Sequence, residues 1–250
     1  MVVVIKINLK EILKMKKYKY IFTDLDGTLY EMYPGPFTEL YKNNMKKYFS
    51  NLGYDESNVD ILIEAFWGIR NCDGKKILED IFYDCLATSN IDRNTWKKLL
   101  LDFYSSEYYK NCSIGTKQNK NMQEIVKILK EKNYKIFLLT NPVFYKKALI
   151  ERVRWAGIDP DIFEYITSFE ELHYTKPYTE YFNEVVQKFN LDPTQILMLG
   201  NDTYDDVNCE KLGIDCYIIT DSLINRSGEP IKTKYHSTSE ELLKIVKEKF

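Results

Sequence analysis

Histidine is nearly missing from these 250 residues: His173 and His236 are the only two. Any chemistry must therefore rest mainly on other side chains. Cysteine is sparse and unpatterned. Cys72, Cys85, Cys112, Cys209 and Cys216 are odd in number, widely spaced and without a CxxC pair. That argues against a disulfide frame or a zinc site and for reduced thiols in a cytoplasmic protein. Long apolar runs are lacking too. None approaches the ~20 residues needed to span a membrane, and the apolar run at 2–5 is cut by Lys6, too early for a signal-peptide core. Surplus charge of either sign is also absent. The 35 Lys and Arg nearly balance 37 Asp and Glu, leaving −2, and the lysines are dispersed. This excludes a nucleic-acid protein that relies on a basic face.

What is present reads as a soluble globular chain, 44% hydrophobic and 29% charged. Its length suggests more than one domain, or one domain with a large insertion. Residues 1–17 are an apolar run followed by a basic stretch, read either as an appendage or as a functional arm. A β-rich run at 18–23 then predicts a buried strand. From about 33 to 111 no strand is expected. Helices are expected at 38–49, 57–69, 75–86 and 94–109, with their aromatic residues mostly as packing. Beyond a polar linker at 112–121 the pattern alternates. Helices are expected at 122–132, 144–156, 178–190 and 205–212, strands at 134–140, 165–168, 196–199 and 216–220, and a last helix after the capping-box pattern at 238–241. Strands alternating with helices imply an α/β parallel sheet covered on both faces. Continuously apolar segments such as Ile136-Phe137-Leu138-Leu139 agree with that.

In such sheets ligands bind beyond the carboxyl ends of the strands. Specific polar groups follow four successive strands. Asp24 and Asp26 come first, with Leu25 between them pointing the other way, so both carboxylates share a side. Two carboxylates 4 Å apart repel by ~4 kcal/mol at an effective dielectric near 20. A cation relieves this, and hard oxygen ligands suit Mg²⁺. By itself the segment also reads as a solvated turn. Thr140 and Asn141 come second, a hydroxyl and an amide able to bind phosphate oxygens, or an ordinary helix cap before Pro142. Lys176 lies in the loop past the third strand. The fourth is followed by Gly200-Asn201-Asp202-Thr203-Tyr204-Asp205-Asp206, more oxygen ligands, or in part the acidic start of a helix.

Together these segments resemble the haloacid dehalogenase superfamily. Phe22-Thr23-Asp24-Leu25-Asp26-Gly27-Thr28 matches its first motif, Thr140-Asn141 its second, Lys176-Pro177 its third and the acidic run at 200–206 its fourth, in order from Tyr18 onward. The resemblance implies a three-layer Rossmann-like parallel sheet core, residues 1–31 and 118–250, with an inserted all-helical cap domain, residues 32–117. It also implies roles. Asp24 is the nucleophile that forms an aspartyl-phosphate. Asp26 is the acid and then the base. Lys176 neutralises charge, and Thr140 and Asn141 bind the phosphoryl group. Mg²⁺ is held by Asp24, the Asp26 backbone carbonyl and the acidic run. The family's usual Gly-Asp is here Gly200-Asn201, so either Asn201 or Asp202 is the direct ligand, with Asp206 behind it.

The implied activity is a Mg²⁺-dependent phosphatase acting on a small phosphorylated metabolite. Asp26 argues for a phosphate ester over a halide, because a halide leaving group needs no proton. A phosphomutase and a non-enzymatic phosphate-binding protein are the alternatives. Arg70 and Asn71, between two expected cap helices, are candidate substrate contacts, with Arg70 placed for a second anionic group. Tyr30, Tyr33 and Phe37 line the pocket or pack the hinge, and His173 has no expected catalytic role. No membrane or nucleic-acid partner is expected, and the assembly is expected to be a monomer or a small homo-oligomer.

Overall fold

The structure, a computed structural model, describes residues 18–249; the apolar and basic stretches read at 1–17 lie outside them. Six strands form one parallel sheet: β1 (Tyr20–Thr23), β4 (Lys135–Leu138), β5 (Phe163–Ile166), β6 (Ile196–Gly200), β7 (Asp215–Ile219) and β8 (Tyr235–Ser237), in the order β5-β4-β1-β6-β7-β8. β1 is central. Phe22 pairs with Phe137 on one side and Met198 on the other. β6 is buried along its whole length, as a strand covered on both faces should be. From β1 the chain builds outward through β4 and β5, then returns to β6 on the opposite side. That reversal opens a crevice at the carboxyl ends of β1, β4 and β6.

Two short strands, β2 (Tyr30–Met32) and β3 (Thr116–Gln118), pair antiparallel, with Tyr30 opposite Gln118. Between them lie five helices: α1 (Pro34–Asn51), α2 (Ser57–Gly68), α3 (Leu78–Cys85), α4 (Arg93–Phe103) and α5 (Glu107–Lys110). The domain limits expected at 31/32 and 117/118 fall inside this strand pair. Sequence reading gives neither strand, because three residues are too few for a period-2 signal. The single helix expected at 94–109 is two. Asp92 caps α4 by accepting from the Asn94 and Thr95 amides. Ser106 starts α5 afresh by accepting from the Tyr109 amide.

The helices after β3 are α6 (Lys120–Glu131), α7 (Lys146–Trp155), α8 (Thr179–Lys188) and α9 (Ser239–Lys249). The expected helix at 205–212 is a 3-10 segment at Val207–Leu212, and β8 is a strand the sequence does not announce. Among the described residues no helix is long and apolar enough to cross a membrane. A dense aromatic cluster fills the helical block. Tyr41 meets Phe66, Phe103 and Tyr109 edge-on at 5.5 to 6.2 Å. The cluster continues to Phe144, ahead of α7, which lies 4.8 Å from Phe66 and 5.9 Å from Tyr41. This contact holds the helical block over the crevice.

Candidate active site

Asp24 follows β1 directly, its amide donating to the Leu199 carbonyl at 2.8 Å. Its Oδ1 accepts from the Lys176 ammonium at 2.8 Å, and its Oδ2 takes a long 3.4 Å contact from the Thr28 hydroxyl. The Lys176 ammonium also donates to Asp206 Oδ1 at 2.6 Å. All three residues are buried. Burial opposes the Lys176 charge, but Asp206 and Asp24 outweigh it and hold the ammonium well above its usual range. One cation does not satisfy two carboxylates. Burial raises the Asp24 carboxyl to about 7 despite Lys176, with Asp206 and Asp26 adding repulsion.

The loop after β6 is folded around Asp206. Its Oδ2 accepts from the amides of Asn201 and Asp202, both at 3.0 Å. A Cβ at Gly200 would collide with this carboxylate, so the position must be glycine. Asn201 donates through Nδ2 to the Ser222 carbonyl at 2.7 Å and accepts from the Thr28 hydroxyl at 3.2 Å. Gly27 approaches the same amide with φ +83°. That backbone conformation is one glycine adopts without steric cost.

Asp26 is held by groups the sequence reading does not single out for it. Its Oδ2 lies 2.6 Å from the Arg152 guanidinium, and its Oδ1 accepts from the Tyr30 hydroxyl. Arg152 Nε also donates to the Tyr30 hydroxyl at 3.2 Å. Arg152 is only 2% exposed and stacks over Phe37 and Phe144. Burial works against its charge, yet Asp26 and the surrounding tyrosines hold the guanidinium above its usual range. A sequence signal exists. Arg152 shares the buried stripe of α7 with Ala148, Leu149 and Val153, where an unpaired charge would be prohibitive.

Two more arginines enclose the site. Arg70, in the turn after α2, donates to both oxygens of Asp205 at 3.2 Å and to the Lys176 carbonyl at 3.4 Å. Arg226, from the loop between β7 and β8, donates to Asp202 Oδ1 at 2.8 Å and lies 2.7 Å from its Oδ2. Burial and Asp202 raise the Asp205 carboxyl, while Arg70 and Arg226 oppose the rise. Nothing in local sequence marks Arg226, which arrives through the long β7–β8 connection.

These groups line one cleft of about 240 Å³ beneath the helical block. Asp24, Asp26, Lys176, Thr140, Asn141, Arg70, Asn201, Asp202 and Asp206 all border it. Asn71 is exposed and outside the lining, and so is Tyr33. Asn141 Oδ1 is buried with no hydrogen-bond partner among the described residues, a polar atom that suits a ligand or water. Five carboxylates face four cations here, a surplus of one negative charge when all are ionised. Among the described residues no three His, Cys, Asp or Glu side chains converge as a metal cluster. The donors are nevertheless the all-oxygen set that a hard divalent cation takes. Asp206 is committed to Lys176 and two amides, and Asp202 to the half-exposed Arg226.

The family model for haloacid dehalogenase-like hydrolases matches residues 20–219. The chain belongs to the haloacid dehalogenase-like hydrolases. Solved structures agree with the fold. A protein from Haemophilus somnus 129PT named as a phosphoglycolate phosphatase is 22% identical with TM-score 0.56, over 92% of this chain and 99% of that one. YfnB from Bacillus subtilis, named as a HAD-hydrolase and bound to magnesium, is 17% identical with TM-score 0.56, over 93% and 100%. A protein from Thermotoga maritima named as a beta-phosphoglucomutase is 19% identical with TM-score 0.55, over 93% and 100%. Dehalogenases are among the similar structures too. No curated protein matches this hydrolase.

Proposed function

We propose that this hydrolase is a phosphatase that releases phosphate from a small monoester through an aspartyl-phosphate on Asp24. The observation that carries the reading is a second carboxyl, Asp26, in the same cleft as the buried Asp24. An ester oxygen leaves as an alcohol and needs a proton; a halide does not.

Asp24 attacks phosphorus as the bond to the alcohol oxygen breaks, and Asp26 gives that oxygen its proton. Asp26 then takes a proton from water as the water attacks the phosphoryl group, freeing phosphate and restoring Asp24. Thr140 and Asn141 bind the phosphoryl oxygens. Lys176 offsets the charge of nucleophile and phosphate, which otherwise repel. Mg²⁺ would be held by Asp24, the Asp26 carbonyl and Asp202 or Asn201, with Asp206 ordering the loop, and would supply further neutralisation of the phosphate. The helical block at 32–117 acts as the cap. Five unpaired cysteines support a reducing, cytoplasmic setting.

The test is Mg²⁺-dependent phosphate release from ethyl phosphate, the monoester of a small alcohol. Asp24→Asn should abolish it while leaving the circular dichroism spectrum intact. Turnover by that variant, or halide release from a 2-haloacid in place of phosphate release, would overturn the assignment. An isomerised sugar phosphate without free phosphate would point to a mutase.

A further inference from the structure

The cleft has two unlike halves. Its floor is charged, as described. Its roof is apolar: Phe37, Tyr41, Ile63, Phe66 and Trp67 from the helical block, with Phe144 below. The roof's two hydroxyls already have partners, and its other polar group is the indole N–H of Trp67 at the edge. The Thr38 hydroxyl donates to the Pro34 carbonyl at 2.8 Å, and the Tyr41 hydroxyl is 3.3 Å from that of Tyr104. Arg70, the candidate for a second anion, is turned down onto Asp205. Trp67 is 55% exposed at the cleft edge, a large ring face with no core to fill.

Such a roof is poor at holding a polyol. Several hydroxyls brought beneath it would lose water with little beyond the Trp67 indole N–H to replace it. An apolar ring would instead displace water from Phe66, Ile63 and Trp67. Size agrees. A cavity of about 150 Å³ accommodates benzene, so 240 Å³ leaves room for one ring beside a phosphoryl group.

We propose that the substrate is the phosphate monoester of an apolar, ring-sized alcohol, with the ring under Trp67, Phe66 and Ile63 and the phosphate on the charged floor. This rests on the phosphatase reading and deepens it. A sugar phosphate and a dianionic acid phosphate are both disfavoured by the same roof.

Benzyl phosphate and glucose 6-phosphate form the decisive pair. Both are esters of primary alcohols carrying one six-membered ring, so they differ mainly in hydroxyls. With the full chain and Mg²⁺, kcat/KM for benzyl phosphate should exceed that for glucose 6-phosphate by about thirtyfold or more, the scale of one or two unpaired polar groups. Trp67→Ala, at an exposed position, should shrink that ratio about tenfold. Equal or reversed preference overturns the inference, as does an unchanged ratio in Trp67→Ala. Hydrolysis of ethyl phosphate with neither ring ester turned over also overturns it while sparing the phosphatase reading. Failure on all three substrates overturns both.

Discussion

Lys176 stands between Asp24 and Asp206, its ammonium 2.8 Å from one carboxylate and 2.6 Å from the other, with all three buried. Removing the cation would leave two facing carboxylates uncompensated. Lys176→Met should destabilise the protein by about 3–5 kcal/mol at neutral pH, the range for breaking a buried pair from one side. Urea unfolding at pH 7 and pH 5 checks this, and the loss should be smaller at pH 5, where protonation removes the repulsion. Phosphate release should fall at least about a hundredfold.

The same crowding gives the metal-free protein a pH dependence. Asp24 is lifted from an ordinary carboxylate value to about 7, mainly by burial. The folded state therefore holds this proton more tightly than the unfolded chain does. Its contribution to stability is complete below the unfolded value near 4 and is lost as pH rises through 7. Thermal unfolding in EDTA should show Tm falling between pH 5 and pH 8. Added Mg²⁺ should raise Tm more at pH 8 than at pH 5, since protons and metal compete for the same carboxylate. A Tm that climbs over that range without metal would contradict the assignment.

Arg152 and Tyr30 determine where the Asp26 carboxyl sits. Arg152→Lys keeps the charge but loses the planar fork. It should lower kcat by about ten- to a hundredfold with a smaller change in KM, because in the proposed reaction Asp26 acts on the leaving oxygen and not in binding. Tyr30→Phe should alter the pH profile of kcat without matching the full loss. A change confined to KM would show that Arg152 serves binding instead.

Arg226 occupies both oxygens of Asp202 while half of its own side chain faces solvent. A cation seeking Asp202 must compete with it. Arg226→Ala should lower the Mg²⁺ concentration that gives half-maximal activity by severalfold. The wild-type value should move more with ionic strength than the variant's, since exposed pairs are screened by salt.

Much of this architecture was legible in sequence because its signals are strong. Ile196–Gly200 is continuously apolar and buried, and Asp24, Thr140, Lys176 and Asp206 each follow a strand, so the parallel sheet brings them together. What escaped has a common physical origin. β2 and β3 are three residues each and exist through pairing with each other. β8 likewise depends on β7, with Tyr235 beside Tyr217. Arg226 reaches Asp202 across 24 residues of chain, and no local periodicity encodes that. Arg70 borders the cleft, but its partner Asp205, 135 residues away, is not legible locally. Arg152 was readable as a charge on an apolar stripe, though its partner Asp26 was not.

Phe144 lies three residues beyond Asn141 and touches both Tyr41 and Phe66. The short segment that carries the amide proposed to bind the phosphoryl group is thus also the wedge under the roof. Any lifting of the roof would have to give up these contacts of Phe144, three residues from Asn141. Departure of the alcohol, which precedes attack by water in the proposed reaction, is therefore expected to be felt at the segment that still holds the phosphoryl group.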